Sequence, residues 1–178
     1  SFFLFIRQER KHPDPLIDLD LFTKSNAFTK ASIAFTSVFA SFPVYLFILP
    51  IVMISGLEMR AWDAGLALCL AAVATLLISP LAGKASDRIG PEKLCMVGAF
   101  LTGIGYTSLL IVLVDSSLSA ILPAMVLIGS GTGLFFAPNN NLMLSSAPQE
   151  RAGMVSGLFG TLRQSGYALG FAITASLF

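Results

Sequence analysis

Four stretches of the sequence, residues 31–57, 64–83, 94–114 and 116–149, contain no Asp, Glu, Lys or Arg. A helix needs about 20 apolar residues to cross the hydrocarbon core of a bilayer. Three of the stretches have about that length. The fourth is too long for one crossing; its apolar centre is 118–142, and Ser145, Ser146 and Pro148 read as a loop. A fifth apolar stretch, 153–178, is interrupted only by Arg163. Runs this long exceed core strands and lack the alternation of a membrane barrel. The sequence therefore predicts an all-α membrane protein, an antiparallel bundle with spans near 30–55, 63–83, 93–114, 118–142 and 152–178.

Composition agrees. Only 12% of residues are charged and 55% are hydrophobic, whereas a soluble domain carries about 25% charged residues. So little charge cannot cover a globular surface, and lipid must face part of the chain. A net charge of +1 leaves no basic footprint for nucleic acid. Cys69, Cys95 and the lone His12 have no zinc-ligand spacing, and neither a metal nor another cofactor is expected.

The short apolar run 2–6 reads as the end of a preceding span, and 153–178 as a span cut at its end. On this reading the chain is a fragment: 1–27 ends one helix and carries a surface linker with Pro13 and Pro15, and 28–178 is a partial domain. Links between spans are short, which predicts that consecutive helices are antiparallel neighbours. Placing alternate loops on two sides puts Arg7, Arg10, Lys11, Lys24, Lys30, Lys84, Arg88, Lys93 and Arg151 together. Only Arg60 falls opposite, with Arg163 inside a span. That bias places the linker 7–30 and the loops 84–93 and 145–151 in the cytoplasm of an inner or plasma membrane.

The link after the second span reads Gly83-Lys84-Ala85-Ser86-Asp87-Arg88-Ile89-Gly90-Pro91-Glu92-Lys93. Gly83 and Gly90 would supply backbone freedom at the helix ends. Asp87 would accept hydrogen bonds from a helix N-terminus, its own or a neighbour's. Arg88 and Lys93 would anchor the link at an anionic leaflet.

Gly-x-x-x-Asp-Arg-x-Gly between two spans resembles the signature loop of the major facilitator superfamily. Pro91 and Glu92 stand where that loop often has two basic residues. Further segments resemble the family's fourteen-span drug:proton antiporter branch. They are Glu9-Arg10, Pro15-Leu16 and Leu21-Phe22 in the linker, Gly129 to Gly133 followed by Pro138, and Glu150 to Gly153 leading to Arg163-Gln164-Ser165-Gly166. The resemblance implies the larger part of the second half of a secondary transporter. Its partners would be the bilayer, a small-molecule substrate, protons and an N-terminal half.

Polar groups at membrane depth are the functional candidates, because each costs free energy there. On the first span Ser37, Ser41 and Tyr45 share a face, and Pro43 and Pro50 can kink the helix. On the fourth, Gly129, Gly133, Phe136 and Asn140 line up. The resemblance makes these two spans cavity-lining and leaves the third facing lipid. On the fifth, Ser156, Gly160, Arg163 and Tyr167 recur at helical spacing, together with Gly170 and Thr174. With Gln164 they mark a candidate domain-interface helix. Arg163 lies about 18 Å along the helix from Arg151, so it is either buried and paired or snorkelling to the interface. The ladder Gly129, Gly131, Gly133 lacks the spacing of a nucleotide loop and is assigned to close helix packing, as are Gly153, Gly157, Gly160, Gly166 and Gly170.

No Asp or Glu lies inside a span, so a proton-coupling carboxylate is expected in the other half. No convergent catalytic set is present, and the chain is not expected to be an enzyme. Proton-driven export of amphipathic compounds is the leading expectation. An uptake permease for a sugar or organic acid, and a sensor or scaffold without solute flux, are the alternatives.

Overall fold

The computed structural model describes residue 22 and residues 25–115, 117–146 and 152–176. The run at 2–6, the linker motifs at 9–21 and residues 147–151 lie outside them. The described residues form helices joined by short links, with no strand. In chain order they are α1, Asn26–Gly56, α2, Ala61–Ile89, α3, Pro91–Asp115, α4, Leu118–Ser145, and α5, Ala152–Ser176. The first four are long and apolar enough to cross a membrane. α5 has the length, but Arg163, Gln164 and its Gly, Ser and Thr residues keep it out of that set, where five spans were expected.

The helices outrun the uncharged stretches. α1 starts at Asn26, because the Ser25 hydroxyl caps it by accepting the Phe28 N–H at 3.2 Å. The last residues assigned to the linker are thus its first turn, and Phe28 is fully buried. At the other end Asp63 opens α2 by accepting the Arg60 backbone N–H at 3.3 Å. Hydrocarbon thickness limits apolar length but does not stop a helix, which continues into the interface.

α1 is irregular where prolines interrupt it. Pro43 and Pro50 have no N–H to return to the preceding turn. Wider π-helical turns follow at Val44–Ile48 and Val52–Gly56. The kink expected from the two prolines takes this form.

Of the consecutive pairs that short links suggested as neighbours, α3 and α4 pack closely and the others do not. α4 packs extensively on α3 and on α2, and α1 packs on α5. α1 with α2, α2 with α3, and α4 with α5 barely touch. Ring and hydrogen-bond pairs give the directions. Phe35 meets Phe159 and Phe47 meets Phe171, so α1 and α5 run parallel. Thr75 meets Gly129 and Ser79 approaches Gly133, so α2 and α4 are parallel too. Cys95 lies by Phe135 and Gly105 by Ile128, so α3 and α4 are antiparallel.

Glycines choose these partners. A Cβ on Gly129 would overlap the Ala71 carbonyl of α2, and one on Gly133 would lie 2.9 Å from the Thr75 oxygen. On the opposite side of α4, a Cβ on Gly131 would lie 2.5 Å from the Thr102 nitrogen of α3. The ladder thus splits by helical angle: 129 and 133 to α2, 131 to α3. Two apolar clusters result. One joins Phe28, Phe35, Phe39, Phe135, Met143 and Val155 near the Gly90 end. The other joins Leu49, Met53, Ala67, Ile121 and Met125 toward the Arg60 end.

Candidate functional site

The signature segment is more helical than a loop. α2 continues to Ile89 and α3 begins at Pro91, leaving Gly90 alone as the link. Gly90 has φ 96° and ψ 139°, a conformation costly for any residue with a Cβ, and its N–H bonds to the Ser86 carbonyl at 3.0 Å. Gly83 sits inside α2 instead of at its end, and a Cβ there would meet nothing. Asp87 and Arg88 are exposed on the last turn of α2, and Glu92 and Lys93 are exposed on the first turn of α3. Asp87 therefore accepts no helix-terminal N–H among the described residues. It lies at the carboxyl end of its own helix, where the dipole does not favour an anion.

The candidates on α1 and α4 divide between two surroundings. Gly129 and Gly133 are buried against α2 and cannot line a solute path; the missing side chain serves the helix contact. The Thr75 hydroxyl reinforces that contact by donating to both the Ala71 and Gly129 carbonyls at 2.9 Å. Ser37 is exposed. The Ser41 hydroxyl turns back to the Val38 carbonyl at 2.7 Å, while its own carbonyl accepts the Tyr106 hydroxyl of α3 at 3.1 Å.

Phe136, Tyr45 and Tyr167 belong to one aromatic assembly. Phe39 stacks on Phe136 at 4.9 Å and meets Tyr167 edge-on at 5.5 Å. Phe35 lies 4.7 Å and Phe42 5.1 Å from Phe39 along α1. Tyr45 continues the row, 5.1 Å from Phe42. Three helices thus converge through rings, in the tilted, stacked and edge-on geometries that aromatic quadrupoles favour. The sequence reading followed hydroxyls and overlooked Phe35, Phe39, Phe42 and Phe159. Their signal was the i, i+4, i+7 spacing of 35, 39 and 42.

Asn140 is half-buried one turn from Phe136, and its Oδ1 is sequestered without a hydrogen-bond partner in the described residues. Asn139 is 1% exposed; its Nδ2 reaches the Met143 sulfur at 3.6 Å, and its Oδ1 is also unpartnered. Both were held in a helix that already satisfies its backbone, so their amides seek side-chain or ligand partners.

α5 has two faces. Gly166 and Gly170 press on Thr36, Phe39 and Ala40 of α1. Gly153, Gly157 and Gly160 meet nothing within 4 Å, so the close packing expected for them is not made in this chain. Ser156, Arg163 and Gln164 are exposed beside them. Arg163 is thus not buried within this bundle. The Ser156 hydroxyl returns to the Ala152 carbonyl at 2.9 Å. Gly170 lies on the α1 side and Arg163 on the open side, so the single stripe read from spacing is shared between two surfaces.

The family model described as Major Facilitator Superfamily matches residues 3–171. The chain belongs to this superfamily. Among curated relatives it is 32% identical over 171 residues to an uncharacterized transporter, YebQ, of Escherichia coli, covering 96% of this chain and 37% of that protein. It is 28% identical to the riboflavin transporter RibZ of Clostridioides difficile, over 99% of this chain and 39% of the relative. It is 30% identical to the multidrug resistance protein Stp of Mycobacterium tuberculosis, over 98% and 32%. The chain therefore spans 32–39% of the length of these relatives. No solved structure matches it. Family and relatives place the chain among transporter sequences and not among enzymes, and its apolar helices make it part of a multi-pass membrane protein.

Proposed function

We propose that this chain is most of the second domain of a proton-driven exporter of amphipathic compounds, working by alternating access with an N-terminal half. The observation that carries the reading is the ring assembly of Phe39, Phe42, Tyr45, Phe136 and Tyr167, with the amide of Asn140 one turn away. Polarizable faces with one unpaired acceptor suit a flat or branched apolar solute carrying a donor. The name of the relative Stp supports export of drug-like compounds.

On this proposal the Gly90 end faces the cytoplasm, since among the described residues Lys30, Lys84, Arg88 and Lys93 lie at that end and Arg60 at the other. The exposed small-residue face at Gly153, Gly157 and Gly160, with Arg163 and Gln164, seats against the other half. Its glycines leave room for a helix to slide, which a rocking interface requires. The carboxylates of α2 and α3, Asp63, Asp87, Glu92 and Asp115, all sit in terminal turns and none in an apolar stretch, so on this proposal the proton-carrying group belongs to that other half.

The name of RibZ supports the rival reading, transport of a vitamin-sized nutrient. Cells expressing the full-length protein separate the two. With a fluorescent amphipathic cation as probe, export predicts low accumulation that rises when an uncoupler collapses the proton gradient. Accumulation that falls with the uncoupler defeats the export reading and favours uptake.

A further inference from the structure

A cavity of about 470 Å³ opens at the Gly90 end between α1 and α3, with α4 as its floor. Its walls are two helix faces that look at one another without meeting. α1 presents Ala27, Ala31 and Ala34, spaced i, i+4, i+7, and α3 presents Met96 and Ala99. Alanines leave room for two backbones to approach, and methionine adapts to the gap that remains. Lys30 lines the same space from α1 and Glu92 from α3, so the mouth carries one charge of each sign. Both side chains are exposed, and neither is ion-paired among the described residues.

The gap has a pivot at its inner end. α1 and α3 share few contacts, and the Tyr106 hydroxyl ties them by donating to the Ser41 carbonyl. From Asn26 to Pro43 α1 is unbroken α-helix, and its first π-helical turn begins only at Val44. The limb on the Gly90 side of the tie therefore moves as a rod, with the irregular turns as its joint. Lys30 lies eleven residues from Ser41, about 16 Å at 1.5 Å per residue, so a tilt of about 10° carries it about 3 Å toward α3. Phe35 and Phe39 ride on the same rod, 6.2 and 4.9 Å from the Phe136 ring of α4.

We propose that α1 and α3 form a clasp: the alanine face of α1 closes on α3, Lys30 pairs with Glu92, and the cavity is the open position of that clasp. An ion pair at the edge of the hydrocarbon is less screened than one in bulk water. Close contact of small residues holds helices together in a bilayer, so charge and packing favour the same closed position. Closing draws Phe35 and Phe39 across Phe136, so the clasp sets the shape of the ring assembly. The step from ring shape to solute binding rests on the exporter reading; the clasp itself does not.

The test uses the full-length protein in lipid nanodiscs, free of native cysteines, with spin labels at Ile33→Cys on α1 and Phe100→Cys on α3. Both positions are exposed and lie outside the cavity lining, so the labels leave the gap clear. Electron paramagnetic resonance is expected to find two distances, the shorter by about 2 Å for the tilt given above. Lys30→Glu, at an exposed position that spares the fold, is expected to deplete the shorter one, on the order of fivefold. Lys30→Glu combined with Glu92→Lys is expected to restore it. A single distance that charge reversal leaves in place overturns the clasp, the result if another helix of the protein fills the gap. So do two distances whose proportions ignore the charges, or a shorter one that the swapped pair fails to bring back. None of these readouts depends on transport, so the exporter reading stands or falls separately.

Discussion

The α2–α3–α4 group and the α1–α5 pair are held together by different means. Around α4, backbones touch: Gly129 and Gly133 against α2, Gly131 against α3, with the Thr75 hydroxyl bonded across the seam. Between α1 and α5 the contact is mostly aromatic, tight only at Gly166 and Gly170, and it opens toward Gly153. In a bilayer, apolar side chains gain little by leaving lipid for protein, so close approach and hydrogen bonds decide which helices stay together. By that measure α4 is the fixed axis of the domain. α1, with two π-helical segments, and α5, with a bare glycine face, are the elements able to shift.

The largest expected effect sets one substitution against another. Gly129→Val would drive a side chain into the Ala71 carbonyl and part α2 from α4, costing about 3 kcal/mol as overpacking. Gly157→Val, on the open face of α5, is expected to cost less than about 0.5 kcal/mol in folding. Thermal unfolding of the two purified variants in detergent measures both. Equal losses would abolish the distinction between the fixed and the mobile parts.

Gly90→Ala comes next. At φ 96° and ψ 139° a Cβ is strained, and the single-residue link has no neighbour to share the distortion. A cost of about 2 kcal/mol is expected, read as a lower unfolding midpoint. Gly83→Ala, at an ordinary helical position with open space around it, is expected to be neutral or slightly stabilising. A reversed order would mean that the link rearranges in the assembled protein.

These contrasts show what could be read from residues alone. The fold class was legible, because long uncharged runs admit few other solutions. The helix ends were not: α2 carries Lys84, Asp87 and Arg88 on helical turns beyond its apolar run. Packing partners were legible only for α3 and α4, since a short link joins helix ends and says nothing about their flanks. Of the candidate site, Tyr45, Phe136 and Tyr167 converge, whereas Gly129 and Gly133 serve a neighbouring helix. The Ser37–Ser41–Tyr45 stripe was drawn through hydroxyls, but a helix lets serine bond its own preceding turn, as Ser41 does to Val38. The phenylalanines had no such internal outlet and reached across to α4 and α5.

A smaller effect separates a hydrogen bond across helices from one within a helix. Thr75→Val keeps shape but removes donation to the Gly129 carbonyl, for a loss of about 0.6–1 kcal/mol. Thr36→Val removes only a bond to the Ser32 carbonyl of the same helix, 3.0 Å away, and is expected to change stability by a few tenths of a kcal/mol or less. Unfolding midpoints of the pair test whether the seam, and not threonine itself, is what matters.

The smallest loss expected from removing a contact between helices falls where the two regions meet. Tyr106 on α3, in the fixed group, donates to the Ser41 carbonyl on α1, beside the first π-helical turn. That carbonyl also accepts the Val44 N–H, so it stays bonded if the tyrosine hydroxyl is lost. Tyr106→Phe should therefore cost only about 0.5 kcal/mol, at the low end for a hydrogen bond whose acceptor keeps a partner. Its effect on motion should be larger than its effect on stability, because this is the hydrogen bond that ties α1 to α3 along the described residues. Hydrogen exchange of the full-length protein in detergent would read it as faster exchange at 44–56, with α4 unchanged. Uniformly faster exchange, or none, would mean that α1 is held by its contacts with α5 and α4 and not by this bond.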